Sequence, residues 1–172
     1  MSRLIIIRGC PAVGKGTLAR ELSEKLKGKV AKLTLDEFQW EMTATKKRSK
    51  KEFEISFKNF LNVLEEYLKN NYDVIAEDIW VQHYGYPDKS TDVNKVIELG
   101  KKYQTKTHLF LLKAELATIK ARNSIRHRIM EEKELKDIYD NIYSKSLDNE
   151  FVIKVDGKSK EQIAKEVLKL IK

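Results

Sequence analysis

The sequence predicts an α/β fold in which a parallel β-sheet is covered by helices on both faces. Short apolar or β-branched runs alternate with helical patterns along the 172 residues. The first run, residues 4–7, is apolar without interruption, which is typical of a central strand that is buried on both faces. No repeat, low-complexity tract or linker interrupts the chain, so we expect one domain over residues 1–172.

Five strands are predicted, and each is short and rich in apolar or β-branched residues. A first helix is predicted to begin near Gly16 and to end before Gly28, because apolar residues recur on one face between them. The predicted strands span residues 4–7, 30–35, 73–80, 107–112 and 151–155.

Two later helices are marked by their first residues. Ser49 is followed by Glu52, and Ser159 by Gln162, and both pairs have the spacing of a capping box. Apolar residues then recur at intervals of three and four over residues 53–68 and 163–171. Helical connections between successive strands are what a parallel sheet requires.

A glycine-flanked turn between the first strand and the first helix has the composition of a phosphate-binding loop. Such a loop turns its N–H groups inward, which requires glycine where a side chain would block the approach or forbid the backbone angles. Lys15 adds positive charge, and the start of the helix adds unpaired N–H groups. The alternative is a glycine-rich turn without a ligand, but the flanking strand and helix favour phosphate binding. The predicted binding residues are Gly9, Cys10, Pro11, Ala12, Val13, Gly14, Lys15, Gly16 and Thr17.

The composition is ordinary for a globular protein, with 41% hydrophobic residues and a net charge of +8. No stretch approaches the roughly 18 apolar residues of a membrane helix, and the amino end lacks a signal-peptide pattern, so we expect a cytoplasmic protein with no membrane partner. Cys10 is the only cysteine and cannot form an internal disulfide. Because no histidine is near it in the sequence, we expect a loop residue beside the phosphates rather than a nucleophile.

Acidic residues follow two of the predicted strands, where ligands collect in a parallel sheet. Asp36 follows the second strand and is a candidate base that orients and deprotonates an attacking hydroxyl. Asp36 and Gln39 also have helix-capping spacing, so a cap is an equal alternative. Glu77 and Asp78 end the third strand and are candidate ligands of magnesium or its waters, with one facing the site and the other pointing away. Thr17, one place later than the usual hydroxyl after the lysine, is the third metal candidate.

Aromatic and polar residues at the end of the third strand have two interpretations: they line an acceptor pocket, or they pack as an ordinary loop. These residues are Trp80, Gln82, His83 and Tyr84.

Basic residues follow the fourth strand, and Glu115 is the single acid between residues 101 and 130. Arg122 and Arg126 are predicted to share a helix face and, with Arg128, to neutralise charge on a transferred phosphoryl group. A solvated basic helix is the alternative. A second basic run at Lys46, Lys47, Arg48, Lys50 and Lys51 suits a polyanionic acceptor or a solvated surface.

Taken together, these residues resemble the small P-loop kinases, the superfamily of adenylate kinase, gluconate kinase, chloramphenicol phosphotransferase, zeta toxin and phage polynucleotide kinase. The Gly14–Thr17 sequence is similar to adenylate kinase, and Asp36 is similar to the acceptor-activating aspartate of the polynucleotide kinase, zeta toxin and phosphotransferase branches. The three arginines are similar to lid arginines. The resemblance implies a three-layer P-loop NTPase fold with strand order 2-3-1-4-5 and a short lid around residues 120–133. The Asp-Gly-x-Pro-Arg segment of adenylate kinases is absent, because residues 77–80 read Glu-Asp-Ile-Trp.

The functional expectation is a kinase that uses ATP and Mg²⁺ and transfers the γ-phosphoryl group to a hydroxyl acceptor. Lys15, Arg122, Arg126 and Arg128 would stabilise the transition state, and Asp36 would activate the acceptor. The basic clusters favour a nucleoside, nucleotide or nucleic-acid 5′-hydroxyl as the acceptor. Two alternatives remain. One is a switch protein that hydrolyses a nucleotide, and the other is a nucleic-acid-binding protein that is regulated by a nucleotide.

Overall fold

The structure is a computed structural model that describes residues 2–42, 49–80 and 92–171. Its strands are β1 (Arg3–Gly9), β2 (Val30–Thr34), β3 (Asp73–Asp78), β4 (Lys106–Lys113) and β5 (Glu150–Lys154). Its α-helices are α1 (Lys15–Lys25), α2 (Lys50–Lys69), α3 (Val93–Lys102), α4 (Leu116–Ser124), α5 (Glu132–Ser144) and α6 (Lys160–Leu170). A π-helical segment, Glu37–Glu41, follows β2.

The five strands form one parallel sheet in the order β2-β3-β1-β4-β5, which confirms the predicted topology. Near the end of β1, Arg8 lies beside Asp78 of β3, and Gly9 lies beside Leu112 of β4. The carboxyl ends of the three central strands therefore meet at one edge of the sheet, where the loop after β1 begins.

Helices cover both faces of the sheet, as predicted, and each face has its own hydrophobic core. Ile5 and Ile7 of β1 point to the core formed with α1, α5 and α6. Leu4 and Ile6 point to the opposite core, where Phe60 and Leu64 of α2 are fully buried. Alternate residues of a central strand thus serve opposite layers, which explains why its sequence is continuously apolar.

The predicted capping boxes are confirmed at the starts of α2 and α6. The Ser49 hydroxyl accepts from the Glu52 amide while the Glu52 carboxylate accepts from the Ser49 amide, and Ser159 and Gln162 repeat the exchange. These bonds involve residues three apart, so the local sequence suffices to predict them. Among the described residues, no helix is long and apolar enough to cross a bilayer.

Two boundaries differ from the prediction. β3 ends at Asp78 rather than residue 80, because Trp80 has a φ of 54° and the chain turns out of the sheet into the aromatic cluster with Phe57 and Phe60. α4 ends at Ser124, so Arg126 lies beyond the helix, and the prediction that it shares a helix face with Arg122 is wrong.

A buried ion pair fixes the residue that precedes the loop after β1. The Arg8 guanidinium donates to both carboxylate oxygens of Glu150 and to the Lys145 carbonyl. The side chains of Arg8 and Glu150 are 2% and 1% exposed, so water solvates neither charge. The contact joins β1 to the start of β5 across β4.

Candidate active site

The loop between β1 and α1 is shaped by two glycines for different reasons. At Gly9, an added Cβ would lie 2.8 Å from Cγ1 of Val13 and 3.0 Å from the Leu112 carbonyl oxygen, so packing excludes any side chain. At Gly14, an added Cβ would meet nothing within 4 Å, but φ is 109°, a conformation that side-chain-bearing residues rarely adopt. Ala12 also has a positive φ, of 64°. The chain therefore wraps tightly before α1 begins.

The amides of this loop are available to a ligand. Val13 donates to the Cys10 carbonyl at 3.3 Å. In the part of the chain that the structure describes, the amides of Ala12, Gly14, Lys15 and Gly16 donate to no backbone carbonyl. Lys15 Nζ lies over the same loop, 3.1 Å from the Gly9 oxygen and 3.3 Å from the Cys10 oxygen. Free amides at a helix start together with an ammonium group are the elements of an anion site.

Cys10 is fully buried inside this loop. Burial raises the pKa of its thiol to about 12, although Lys15 and Arg126 act in the opposite direction. The thiol is therefore neutral at physiological pH and unsuited to nucleophilic attack. This agrees with the expectation that Cys10 is a loop residue rather than a nucleophile.

Asp36 lies at the carboxyl end of β2 with an exposed side chain. It occupies the position before the π-helical segment, but its side chain makes no capping hydrogen bond and its backbone is already helical. Asp36 therefore does not act as a helix cap in this structure. Asp36 lines a cavity of about 620 Å³ together with Lys15 and Arg126.

Glu77 and Asp78 are consecutive residues of β3, so their side chains lie on opposite faces of the sheet. Glu77 is in register with Ile7 of β1, and Asp78 with Arg8. Glu77 is 6% exposed, accepts a hydrogen bond of 3.1 Å from the Thr34 hydroxyl, and has a carboxylate oxygen 3.4 Å from where a Cβ of Gly16 would lie. It is thus the carboxylate that faces the start of α1. Asp78 is equally buried but belongs to the other face of the sheet.

Burial raises the pKa of both carboxyl groups. For Glu77 burial is the main cause, opposed by Lys15 and reinforced by Asp36. For Asp78, burial and then the charge of Asp36 raise the pKa to about 8. The charge of Lys15 lowers the pKa of both groups but does not outweigh burial, so a cation bound beside them would favour their ionised forms.

The residues predicted for magnesium are only partly brought together. Thr17 lines a second cavity, of about 250 Å³, rather than the one that Asp36 lines. Within residues 2–42, 49–80 and 92–171, no three His, Cys, Asp or Glu side chains form a ready-made metal site. Glu77 supplies a hard oxygen beside the loop amides, and this donor suits a magnesium ion that keeps most of its waters and binds phosphate oxygens.

The basic residues after β4 divide between the two cavities. The Arg122 guanidinium donates to the Val13 carbonyl at 3.1 Å and lines the smaller cavity. Arg126 and Arg128 belong to the loop 125–131, which we call the lid loop, and both line the larger cavity. Lys120 instead pairs with Glu132 at the surface. The three arginines thus surround the phosphate-binding loop from two sides.

The side chain of Asn123 holds the lid loop in a compact turn. Its amide nitrogen donates to the Met130 carbonyl at 2.8 Å, and its amide oxygen accepts from the Met130 amide at 3.2 Å. Asn123 is 5% exposed, so both bonds are shielded from water. The sequence analysis missed this residue, since nothing local indicates that its partner lies seven positions away.

Trp40 is a second residue that the sequence analysis missed. It lines the larger cavity, and the Arg128 guanidinium lies over its ring at 4.8 Å from the ring centre. The signal in the sequence is its position four residues after Asp36, one helical turn along. Of the other sequence predictions, Trp80 is buried in the aromatic cluster. Gln82, His83, Tyr84, Lys46, Lys47 and Arg48 lie outside the described residues.

Comparison with known proteins agrees with this geometry. The profile of the AAA domain family matches residues 4–142. No curated protein matches the chain.

Three solved structures illustrate the fold that the chain shares. A putative kinase from Chloroflexus aurantiacus has a TM-score of 0.72 and 17% identity, with coverage of 99% of this chain and 96% of that one. The tunicamycin resistance protein of Deinococcus radiodurans has a TM-score of 0.68 and 14% identity, with the same coverage. Kti12 from Chaetomium thermophilum, solved with ADP-AlF3, has a TM-score of 0.62 and 14% identity, covering 98% of this chain and 99% of that one.

These likenesses extend over essentially the whole chain and are structural rather than close in sequence. They show that this chain shares the fold of these proteins. The chain belongs to the AAA domain family and has the fold of the small P-loop kinases.

Proposed function

We propose that this protein is a kinase that transfers the γ-phosphoryl group of ATP to a hydroxyl acceptor. The observation that carries the proposal is the larger cavity, where three elements of the chain contribute one group each. Lys15 comes from the phosphate-binding loop, Asp36 from the end of β2 and Arg126 from the lid loop. An ammonium group, a carboxylate and a guanidinium around one space are the groups that phosphoryl transfer requires.

The nucleotide would lie along the phosphate-binding loop, with its phosphates on the free amides and Lys15. We assign its nucleoside end to the smaller cavity, where Val155 and Ile163 supply apolar surface and Arg122 supplies charge. Glu77 and Thr17 are the residues that would hold hydrated magnesium, and the ion would supply countercharge to the phosphate oxygens. The name of one similar structure, the putative kinase from Chloroflexus aurantiacus, supports a phosphotransferase of this type.

The transfer step uses the groups in the larger cavity, and each bond and proton in it is accounted for. The hydroxyl oxygen of the acceptor bonds to the γ-phosphorus, and the bond from that phosphorus to the β,γ-bridging oxygen breaks, so that ADP leaves with the electron pair. Asp36 takes the hydroxyl proton, while Lys15 and Arg126 stabilise the charge on the transferring group. Arg128, which the sequence predicts to act with them, belongs to the same lid loop, but its guanidinium lies over the ring of Trp40.

The acceptor is a hydroxyl compound, and the sequence favours a nucleoside, a nucleotide or a nucleic-acid 5′-hydroxyl. The test is transfer of radiolabelled γ-phosphoryl to a panel of nucleosides, nucleotides, sugars, antibiotics and 5′-hydroxyl oligonucleotides. A labelled acceptor supports the kinase. Label found only in inorganic phosphate favours the nucleotide-hydrolysing alternative instead.

The role of Asp36 has a matched control in the adjacent residue. Glu37 is half-buried, pairs with Lys32 at 3.5 Å and does not line the larger cavity. Asp36→Asn is expected to lower kcat by about 100-fold or more, the usual range for loss of a general base, whereas Glu37→Gln leaves kcat near the wild-type value. Equal kcat for Asp36→Asn and the wild type contradicts the assignment of Asp36 even if transfer is observed.

A further inference from the structure

The wall of the larger cavity contains a flat aromatic surface that the transfer step does not use. Trp40 lies one helical turn after Asp36, and its ring packs edge-on against Phe53 at 5.9 Å between centres. The face of the ring carries the Arg128 guanidinium, another flat group. An indole face on which a flat guanidinium lies is a surface for a flat or ring-shaped group, and the ring of a ligand would stack there in place of Arg128.

Apolar side chains continue this surface around the cavity. Pro11, Ile79 and Met130 line it, and Ile129 of the lid loop lines it while remaining 63% exposed. A large apolar residue that remains exposed beside a catalytic cavity suits a ligand that brings apolar surface of its own.

The charges not needed for the phosphoryl group are mostly negative. With Lys15, Asp36 and Arg126 assigned to transfer, the remaining charged residues that line the cavity within the described part of the chain are Glu41, Glu131, Glu134 and Arg128, which carry a formal net charge of −2. Burial, followed by the charges of Glu131 and Asp137, raises the pKa of Glu134, as expected where negative charge is already in excess. A phosphate on the acceptor would meet repulsion at this wall.

We propose, on the basis of the kinase function above, that the acceptor is an alcohol without negative charge whose ring stacks on Trp40. Trp40 is then the residue that determines acceptor class, and the glutamates act against phosphorylated compounds. This retains nucleosides and other ring-bearing alcohols among the candidate acceptors and excludes nucleotides and nucleic acids.

The test compares acceptors that differ in one group. Thymidine and thymidine 3′-monophosphate share a free 5′-hydroxyl and differ in charge, and phenyl and methyl β-D-glucoside differ in the aromatic ring. We expect kcat/KM to be at least about tenfold higher for thymidine than for its 3′-monophosphate, and higher for the phenyl than for the methyl glucoside. Trp40→Leu should remove the advantage of the phenyl group, while Trp40→Phe should retain most of it. Preference for the phosphorylated compound, or for a 5′-hydroxyl oligonucleotide, overturns the proposal.

A binding measurement keeps the proposal testable without turnover. The chain has two tryptophans, so in a Trp80→Phe background the fluorescence reports on Trp40 alone. Thymidine should change this fluorescence at a concentration at least about tenfold lower than thymidine 3′-monophosphate does. No change with thymidine, in protein that still binds ATP by calorimetry, contradicts the proposal for Trp40. If the wild-type chain does not bind ATP, the result contradicts the kinase function instead.

Discussion

Gly14→Ala separates the conformation of the phosphate-binding loop from its packing. Gly14 has a φ of 109°, and an added Cβ would contact nothing within 4 Å, so the effect of the substitution is conformational rather than steric. Placing a side-chain-bearing residue in the left-handed region costs roughly 1–2 kcal/mol. If the loop relaxes to avoid this strain, its amides no longer converge, and the same free energy is lost from nucleotide binding. Because about 1.4 kcal/mol is a tenfold change in affinity, we expect the Kd for ATP to rise about tenfold.

Gly28→Ala is the matched control for this prediction. Gly28 follows α1, has a φ of 97°, and likewise has open space around its added Cβ. Gly28→Ala should lose roughly 1–2 kcal/mol of unfolding free energy in chemical denaturation, and Gly14→Ala should lose less, because relaxation of its loop relieves the strain in the free protein. Only Gly14→Ala should weaken ATP binding in calorimetry. Equal ATP affinities for the two variants would refute the role assigned to the loop conformation.

Three further predictions concern buried ionisable groups. Arg8→Met leaves the carboxylate of Glu150 buried and unpaired and should cost about 3–5 kcal/mol of unfolding free energy, whereas the double variant with Glu150→Met should recover most of the loss in denaturation experiments. Because the pKa of Asp78 is raised to about 8, the folded chain keeps a proton that the unfolded chain releases. Stability should therefore fall as pH rises from about 4 to about 8, and Asp78→Asn should flatten this dependence. The Cys10 thiol should react slowly with a thiol reagent at pH 8 in the folded chain and rapidly in guanidinium, and fast labelling of the folded chain would contradict its burial.

The sequence predicts the sheet well because the signals of its strands are local. Residues 4–7 form a continuous apolar run because β1 is buried on both faces, and capping boxes join residues three apart. The helices α3 and α5 were not identified, although Leu135, Ile138 and Ile142 of α5 have the spacing of a buried helix face.

The contacts that shape the cavities depend on residues far apart in the chain. Arg8 and Glu150 are 142 positions apart, and neither residue indicates its partner. The end of α4 also lacks a local signal, because the chain turns back where the Asn123 side chain binds both backbone groups of Met130. For the same reason, the stacking of Arg128 on Trp40 could be found only from the folded structure.

Calorimetric titration with adenosine, AMP, ADP and ATP in the presence of magnesium tests the central claim most directly. If the free amides and Lys15 bind a polyphosphate, affinity should rise with each added phosphate, and ATP should bind far more tightly than adenosine. Equal affinities across the series, or no heat of binding with ATP, would contradict the phosphate-binding role of the loop.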